Sequence, residues 1–316
     1  MGYDIIGDIH GQADKLEALL TQMGYYNTSG HWQHADRQAI FVGDFIDRGP
    51  GQLRTVNIVR RMVEHGAALA IMGNHEFNAI AWHTQDERRL GEYLRSHQSP
   101  DDKNRKQHAA FLAEVEHDAS LHQEIIDWFL TLPLWLDLPE LRVVHACWHE
   151  PYMEYLAPKL IKGRFLSPEL MIEATDESVE KGSAKASVFK AVEALTKGIE
   201  AALPEGHFFL DKDGIRRDNV RVRWWDEAAT TYPAAANLPE EIRKALRDQA
   251  IPEHARIKVM QDKPVFFGHY WMTGTPAPLA DHAACVDYSA GKGGSLVAYR
   301  WNGETRLDAA NFAWIV

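Results

Sequence analysis

The 316-residue chain is 45% hydrophobic and carries a net charge of −11. That is enough apolar content for a sizeable core, and it argues against a nucleic-acid-duplex-binding face, which needs clustered Lys and Arg. No run approaches the ~18 apolar residues of a membrane-spanning helix, and Ile6 breaks the myristoylation pattern that Gly2 would open. The first residues already read as strand, so no secretory leader is expected. Cys147 and Cys285 sit in apolar runs and read as two buried, reduced thiols, which fits a cytoplasmic protein.

In chain order, "YDIIG" predicts a buried strand and "QADKLEALLTQMG" a helix with Leu16, Leu19, Leu20 and Met23 on one stripe. "RQAIFVGD" predicts a second strand, "GQLRTVNIVRRMVEHG" a second helix, and "AALAIMGNHE" a third strand ending in a turn. Such β-α-β-α-β order favours a largely parallel sheet. Residues 77–130 read as helical with a polar break at "SHQSPDDKNRK", and "LRVVHAC" as a fourth strand. Residues 151–262 form a long mixed segment, with a helical run "ASVFKAVEALTKGIEAAL" and a hairpin turn at "DKDG". Four closing strands follow in "PVFFGHY", "HAACVDY", "SLVAYRW" and "FAWIV". "GKGGS" resembles part of a phosphate loop but lacks its spacing and reads as a hairpin turn. No internal repeat is present, so residues 1–316 read as one domain with a large internal insert at about 151–262.

The strand ends repeat one event: an apolar run stops, and a glycine, an acid or amide, and a histidine follow. "GDIHG" places Asp8 and His10; "GDFIDRG" places Asp44, Asp47 and Arg48; "GNHE" places Asn74 and His75. "VVHAC" adds His145 and "FFGHY" adds His269. In an α/β sheet the carboxyl ends of strands line one edge, where ligands bind. Carboxylate, amide and imidazole donors without thiolate suit manganese, iron, zinc or magnesium. An Asp can bridge two such ions, as in two-metal phosphoryl-transfer sites. Arg48 is placed to grip phosphoryl oxygens.

These motifs, in this order, resemble the calcineurin-like metallophosphoesterase superfamily, and within it the phosphoprotein phosphatase group. That group includes bacterial Ser/Thr protein phosphatases and symmetrical dinucleoside tetraphosphatases. "VDYSAGKGGSLVAY" is similar to the group's closing strand pair. The resemblance implies a two-sheet α/β/β/α sandwich and two divalent ions, manganese first among them. It implies Asp8 and His10 as ligands of one metal, Asp44 as the bridge, and Asn74, His145 and His269 as ligands of the other. It implies that Asp47 orients His75, a general acid toward the leaving oxygen, that Arg48 binds phosphate, and that a metal-bridging hydroxide attacks phosphorus in line. A second phosphate-binding arginine is expected from Arg221, Arg223 or Arg256. The chain departs from the pattern after Ala146, where the family usually has glycine and Cys147 and Trp148 follow here, and at Tyr270 and Trp271, where threonine usually follows the histidine.

Further expectations follow. Asp287 should accept from a ligand histidine. His31, His34, His83, His97, His108, His117 and His122 should lie on the surface, and Trp128, Trp135 and Trp224 in the core. The 151–262 insert should border the site. The function expected is hydrolysis of phosphomonoesters, phosphoserine or phosphothreonine in proteins among them. Dinucleoside polyphosphates are the alternative substrate, and a metal-binding regulatory protein without turnover is the alternative of another class. A small-molecule phosphoester also remains open, and no membrane partner is expected.

Overall fold

A computed structural model describes residues 2–28, 30–98, 100–178, 186–210, 216–236 and 238–316. Two sheets face each other. In the first, strands run in the order Asp287–Tyr288, Ser295–Trp301, Gly2–Ile6, Arg37–Phe41 and Ala68–Ala70, with Phe312–Ile315 also paired to Ser295–Trp301. Gly2–Ile6, Arg37–Phe41 and Ala68–Ala70 are parallel, as their helical crossovers require. In the second sheet the order is Ala283–Cys285, Val265–Phe267, Arg142–Val144 and Trp135–Asp137, the last pair antiparallel.

Alternation along single strands builds the layers. Ile5 and Phe266 pack with Ile40, Ile71 and Val143 between the sheets. Their neighbours Ile6 and Phe267 face outward against the helical layers, in a core shared with Leu16, Leu19 and Val59. Both faces of these strands are therefore buried, which explains their unbroken apolar runs. The expected α/β sandwich is what the chain forms.

Helices Ala13–Gln22 and Gln52–Glu64 lie where the apolar stripes placed them. The 77–130 region divides into helices Asn74–His83, Lys103–Gln107, Ala109–Val115 and Ala119–Phe129. Two details differ from expectation. The run at 186–203 is helical only over Val188–Lys197; Gly198, at φ 85°, ends it, and Glu200–Ala202 becomes a strand paired with Asn219–Arg221. "HAACVDY" serves both sheets, Ala283–Cys285 in one and Asp287–Tyr288 in the other.

Strands Phe209–Leu210 and Arg216–Arg217 pair antiparallel, while the "DKDG" turn between them lies outside the described residues. The "GKGGS" segment connects the antiparallel strands Asp287–Tyr288 and Ser295–Trp301, as a hairpin turn should. Trp128 and Trp224 are buried and Trp135 partly so. Both cysteines are buried and free. Among the described residues no helix is long and apolar enough to cross a membrane.

His122 is a correction: it is buried rather than superficial. It shares a helical stripe with Ile125, Ile126 and Phe129, a 3.6-residue period that outweighs its polarity.

Candidate metal centre

The strand-end residues converge. The Asp44 carboxylate stands at the middle, with its two oxygens facing different donors. Oδ2 lies 3.7 Å from His10 Nε2 and 3.9 Å from His75 Nε2; Oδ1 lies 3.4 Å from His145 Nε2. Asn74 Oδ1 is 3.2 Å from His145 Nε2 and 2.8 Å from His269 Nδ1. Among the described residues two groups have metal-holding geometry, His10 with Asp44 and His75, and Asp44 with His145 and His269.

Backbone contacts aim these rings. His10 Nδ1 donates to the Ile46 carbonyl at 2.9 Å and His145 Nδ1 to the Val42 carbonyl at 2.7 Å. Each ring thereby presents Nε2 to the centre, the second contact that fixes the tautomer of a ligand imidazole. The Nε2 lone pairs of His10 and His145 then face the Asp44 carboxylate with no hydrogen between them, an arrangement that a cation satisfies. Asp8 Oδ1 and His10 Nε2 are buried without a partner among the described residues. Such orphans are costly unless something absent from the polypeptide completes them. Burial, then the neighbouring Asp287 and Asp44, pushes the Asp8 carboxyl well above the ordinary range. Burial, then Asp44, pushes Glu76 up to about 7. This concentration of buried acids also calls for positive charge. The residues present fit a divalent metal pair.

The local backbone is tense here. Of the ten described non-glycine residues at positive φ, five are His10, Asp44, Asp47, Arg48 and His269. Left-handed conformations of this kind cost energy and cluster where side chains must be aimed. Gly268 is required by space, since a Cβ there would stand 2.1 Å from Asp8 Oδ1.

Beside the centre, His75 Nδ1 donates to Asp47 Oδ2 at 2.5 Å, which leaves His75 Nε2 turned toward Asp44. Burial pushes the His75 ring down, but Asp44 and Asp47 outweigh it and raise its pKa. Arg48 makes no hydrogen bond or ion pair with a described residue; its guanidinium stacks 4.3 Å from the Trp271 ring centre, and Lys292 stands 4.2 Å from the same ring. Of the three arginines considered for a second phosphate contact, Arg223 and Arg256 are exposed to solvent. Arg221 lies over Tyr270 at 5.8 Å, and its charge acts on His269.

Three residues differ from, or were absent from, the sequence reading. His108, expected on the surface, is fully buried and donates from Nδ1 to Asp47 Oδ2 at 2.9 Å. The stripe 108, 111, 112, 115 carried that signal, because Phe111, Leu112 and Val115 are the buried face of the following helix. Glu76 had no role assigned. It is buried and accepts from the backbone N–H groups of Gly73, Asp44 and Phe45, tying "GNHE" to "GDFIDRG". Its place three residues after Gly73, a helix-capping spacing, was the available sign. Asp287 accepts from the backbone of Trp271 and Ser289 rather than from a ligand imidazole. It stabilises the turn after His269 instead of the ring.

Paired metal sites at the strand ends of a two-sheet sandwich are the mark of metal-dependent phosphoesterases. The chain belongs to the calcineurin-like phosphoesterase family, whose profile matches residues 1–159. It is 45% identical over 76 residues to a bis(5'-nucleosyl)-tetraphosphatase PrpE (asymmetrical) of Oceanobacillus iheyensis, covering 24% of this chain and 30% of that protein. With the enzyme of the same name from Bacillus subtilis it shares 32% over 151 residues, 46% of this chain and 57% of the relative. Neither match reaches two thirds of the relative's length. A protein serine/threonine phosphatase of known structure from Saccharomyces cerevisiae aligns over 100% of this chain and 79% of its own, at 13% identity and a TM-score of 0.49.

Proposed function

We propose that the chain is a two-metal phosphoesterase that cleaves dinucleoside polyphosphates. The observation that carries the reaction type is the Asp44 carboxylate, its two oxygens directed at two separate donor sets. Asp8, His10 and Asp44 would hold one ion; Asp44, Asn74, His145 and His269 would hold the other. Manganese is the ion we propose, and iron, zinc or magnesium suit the same donors. When bound, the ions would supply Lewis-acid stabilisation of phosphoryl charge and activation of water at neutral pH.

The chain's own groups do the rest. Arg48, which binds no anion among the described residues, and Arg221 would hold the phosphoryl oxygens. Asp47 fixes the His75 ring through Nδ1, and His75 Nε2 would deliver a proton to the leaving oxygen. Glu76 keeps the loops carrying Asp44 and Asn74 in register.

The substrate choice is supported by the names of the curated relatives. A second reading, phosphomonoesters such as phosphoserine or phosphothreonine in proteins, has its own support. In the basic run at 216–223, Arg216, Arg217 and Arg223 are exposed, which leaves Arg221, over Tyr270, as the candidate from that run to join Arg48. Comparing kcat/KM for diadenosine tetraphosphate and a phosphopeptide, at one manganese concentration, tests the choice. A hundredfold preference for the phosphopeptide overturns the dinucleotide reading. Product analysis, ATP plus AMP against two ADP, separates asymmetrical from symmetrical cleavage.

A further inference from the structure

One helical turn beyond His75, Asn78 helps to line a cleft of about 910 Å³. Asn78 lies on the helix that begins with Asn74 and His75, and Arg95 is set into the cleft wall. The Arg95 backbone N–H donates to the Ala81 carbonyl, so the residue is fastened to that same helix. Its guanidinium donates to the amide oxygens of Asn78, at 3.1 Å, and Gln107, and its Nε is buried without a partner. Gln107 precedes His108, the residue that bonds Asp47. The cleft thus shares a helix with the proposed general acid, and the charge of Arg95 acts on the carboxylate that orients it.

Arg95 is half-buried and carries its charge without a paired acid among the described residues. Glu177, Asp47 and Glu193 act on it only at longer range. A guanidinium with only neutral acceptors and a spare donor is an incomplete anion site. Lys103 also lines the cleft, is exposed, and pairs with no described carboxylate. The other cations are already engaged: Arg88 and Arg89 bond Asp86, and Lys197 bonds Glu193. Asp176, Glu177 and Glu193 offset part of the charge, Glu177 acting most on Arg95, without pairing directly with Arg95 or Lys103 among the described residues.

We infer that this cleft is a second anion subsite, in which Arg95 and Lys103 receive the phosphates of a polyphosphate leaving group while its scissile phosphorus lies at the metal centre. The inference rests on the phosphoesterase reading and deepens it. It places the leaving group on the His75 side, where the proton is delivered. A monoester has nothing to put in the cleft, so the subsite would select for phosphate chains.

Inorganic tripolyphosphate is the probe. Its binding is measured by calorimetry on the full chain in chelator, so the readout needs neither metal nor turnover. Arg95→Gln should weaken it about 10–100-fold, the range for a lost charge-assisted contact, and Lys103→Glu by roughly tenfold. With manganese restored, both variants should lose a similar factor in kcat/KM for diadenosine tetraphosphate and stay within about threefold of the parent on an aryl phosphate. Unchanged tripolyphosphate binding in Lys103→Glu and Arg95→Gln overturns the subsite, as does an equal loss on both substrates. If Arg95→Gln fails to fold, Lys103→Glu decides alone, because its side chain is exposed. A parent protein that binds tripolyphosphate but hydrolyses neither substrate would sink the phosphoesterase reading and leave the subsite standing.

Discussion

His108 Nδ1 stands 2.9 Å from Asp47 Oδ2, the same oxygen that accepts from His75. One carboxylate oxygen thus serves two buried rings. Burial raises the Asp47 pKa, but its bonds to His108 and His75 outweigh this and hold it below the ordinary carboxylate value. Losing His108 should let Asp47 rotate and loosen His75. We expect His108→Phe to lower kcat by roughly tenfold or more, a part of the ~10²–10⁴ that a general acid contributes. His108→Asn, which keeps a donor, should recover much of the loss. KM and metal content should barely change; a fall in bound metal would show that His108 supports the ligands instead.

Asp44 and His75 can be separated by what each loses. Asp44→Asn removes the charge that faces both donor sets, so both ions should be released. His75→Asn should retain metal and lose turnover by about 10²–10⁴. Metal content by mass spectrometry beside turnover decides this. His75 Nε2 also falls within metal-holding distance of His10 and Asp44, so the measurement is a real discrimination between acid and ligand.

The polar residues at strand ends were legible because their backbone context is stereotyped: an apolar strand, a glycine, then a donor. Asp8, His10, Asp44, Asn74 and His269 obey it, His145 follows its strand without the glycine, and the structure gathers all six. His108 was not legible that way. It comes from a helical layer, and its value depends on Asp47, 61 residues away. Arg221 could not be told from Arg223 or Arg256, because strand alternation shows which arginines share a face and not which face meets Tyr270. The sheet order was only partly readable, since "HAACVDY" is one apolar run that leaves one sheet and enters the other at Val286. No local pattern encodes that crossing.

His149 offers a stability test remote from the ligands. Its Nδ1 accepts from the Tyr152 N–H, capping helix Glu150–Leu156, which a protonated ring cannot do. Burial lowers its pKa to about 4 from the usual 6.5. A depressed folded-state value means the stabilisation is complete above pH ~6.5 and is lost as pH falls toward 4, by up to about 3 kcal/mol. Urea midpoints at pH 7 and pH 4.5 should differ less in His149→Asn, which caps without titrating. Equal differences in parent and variant would remove His149 from the acid response.

Gly268 tests whether the metal pair depends on the close approach of two strand ends. Its backbone N–H donates to the His145 carbonyl, and the next N–H, that of His269, donates to Asp8 Oδ2 at 3.0 Å. A methyl group at Gly268 would stand 2.1 Å from Asp8 Oδ1 and 2.9 Å from Val42 Cγ2. Val42 is fully buried between the sheets, so the strain must be relieved by moving Asp8 or the His269 turn. Either movement pulls a donor from the centre. Gly268→Ala should therefore fold with modest destabilisation, on the order of 1–3 kcal/mol for overpacking, and bind metal substantially less well. Calorimetric manganese titration of the parent and the variant measures this. Parent-like affinity would mean that the Asp8 side of the centre can shift without loss, and that Asp8 is not a ligand.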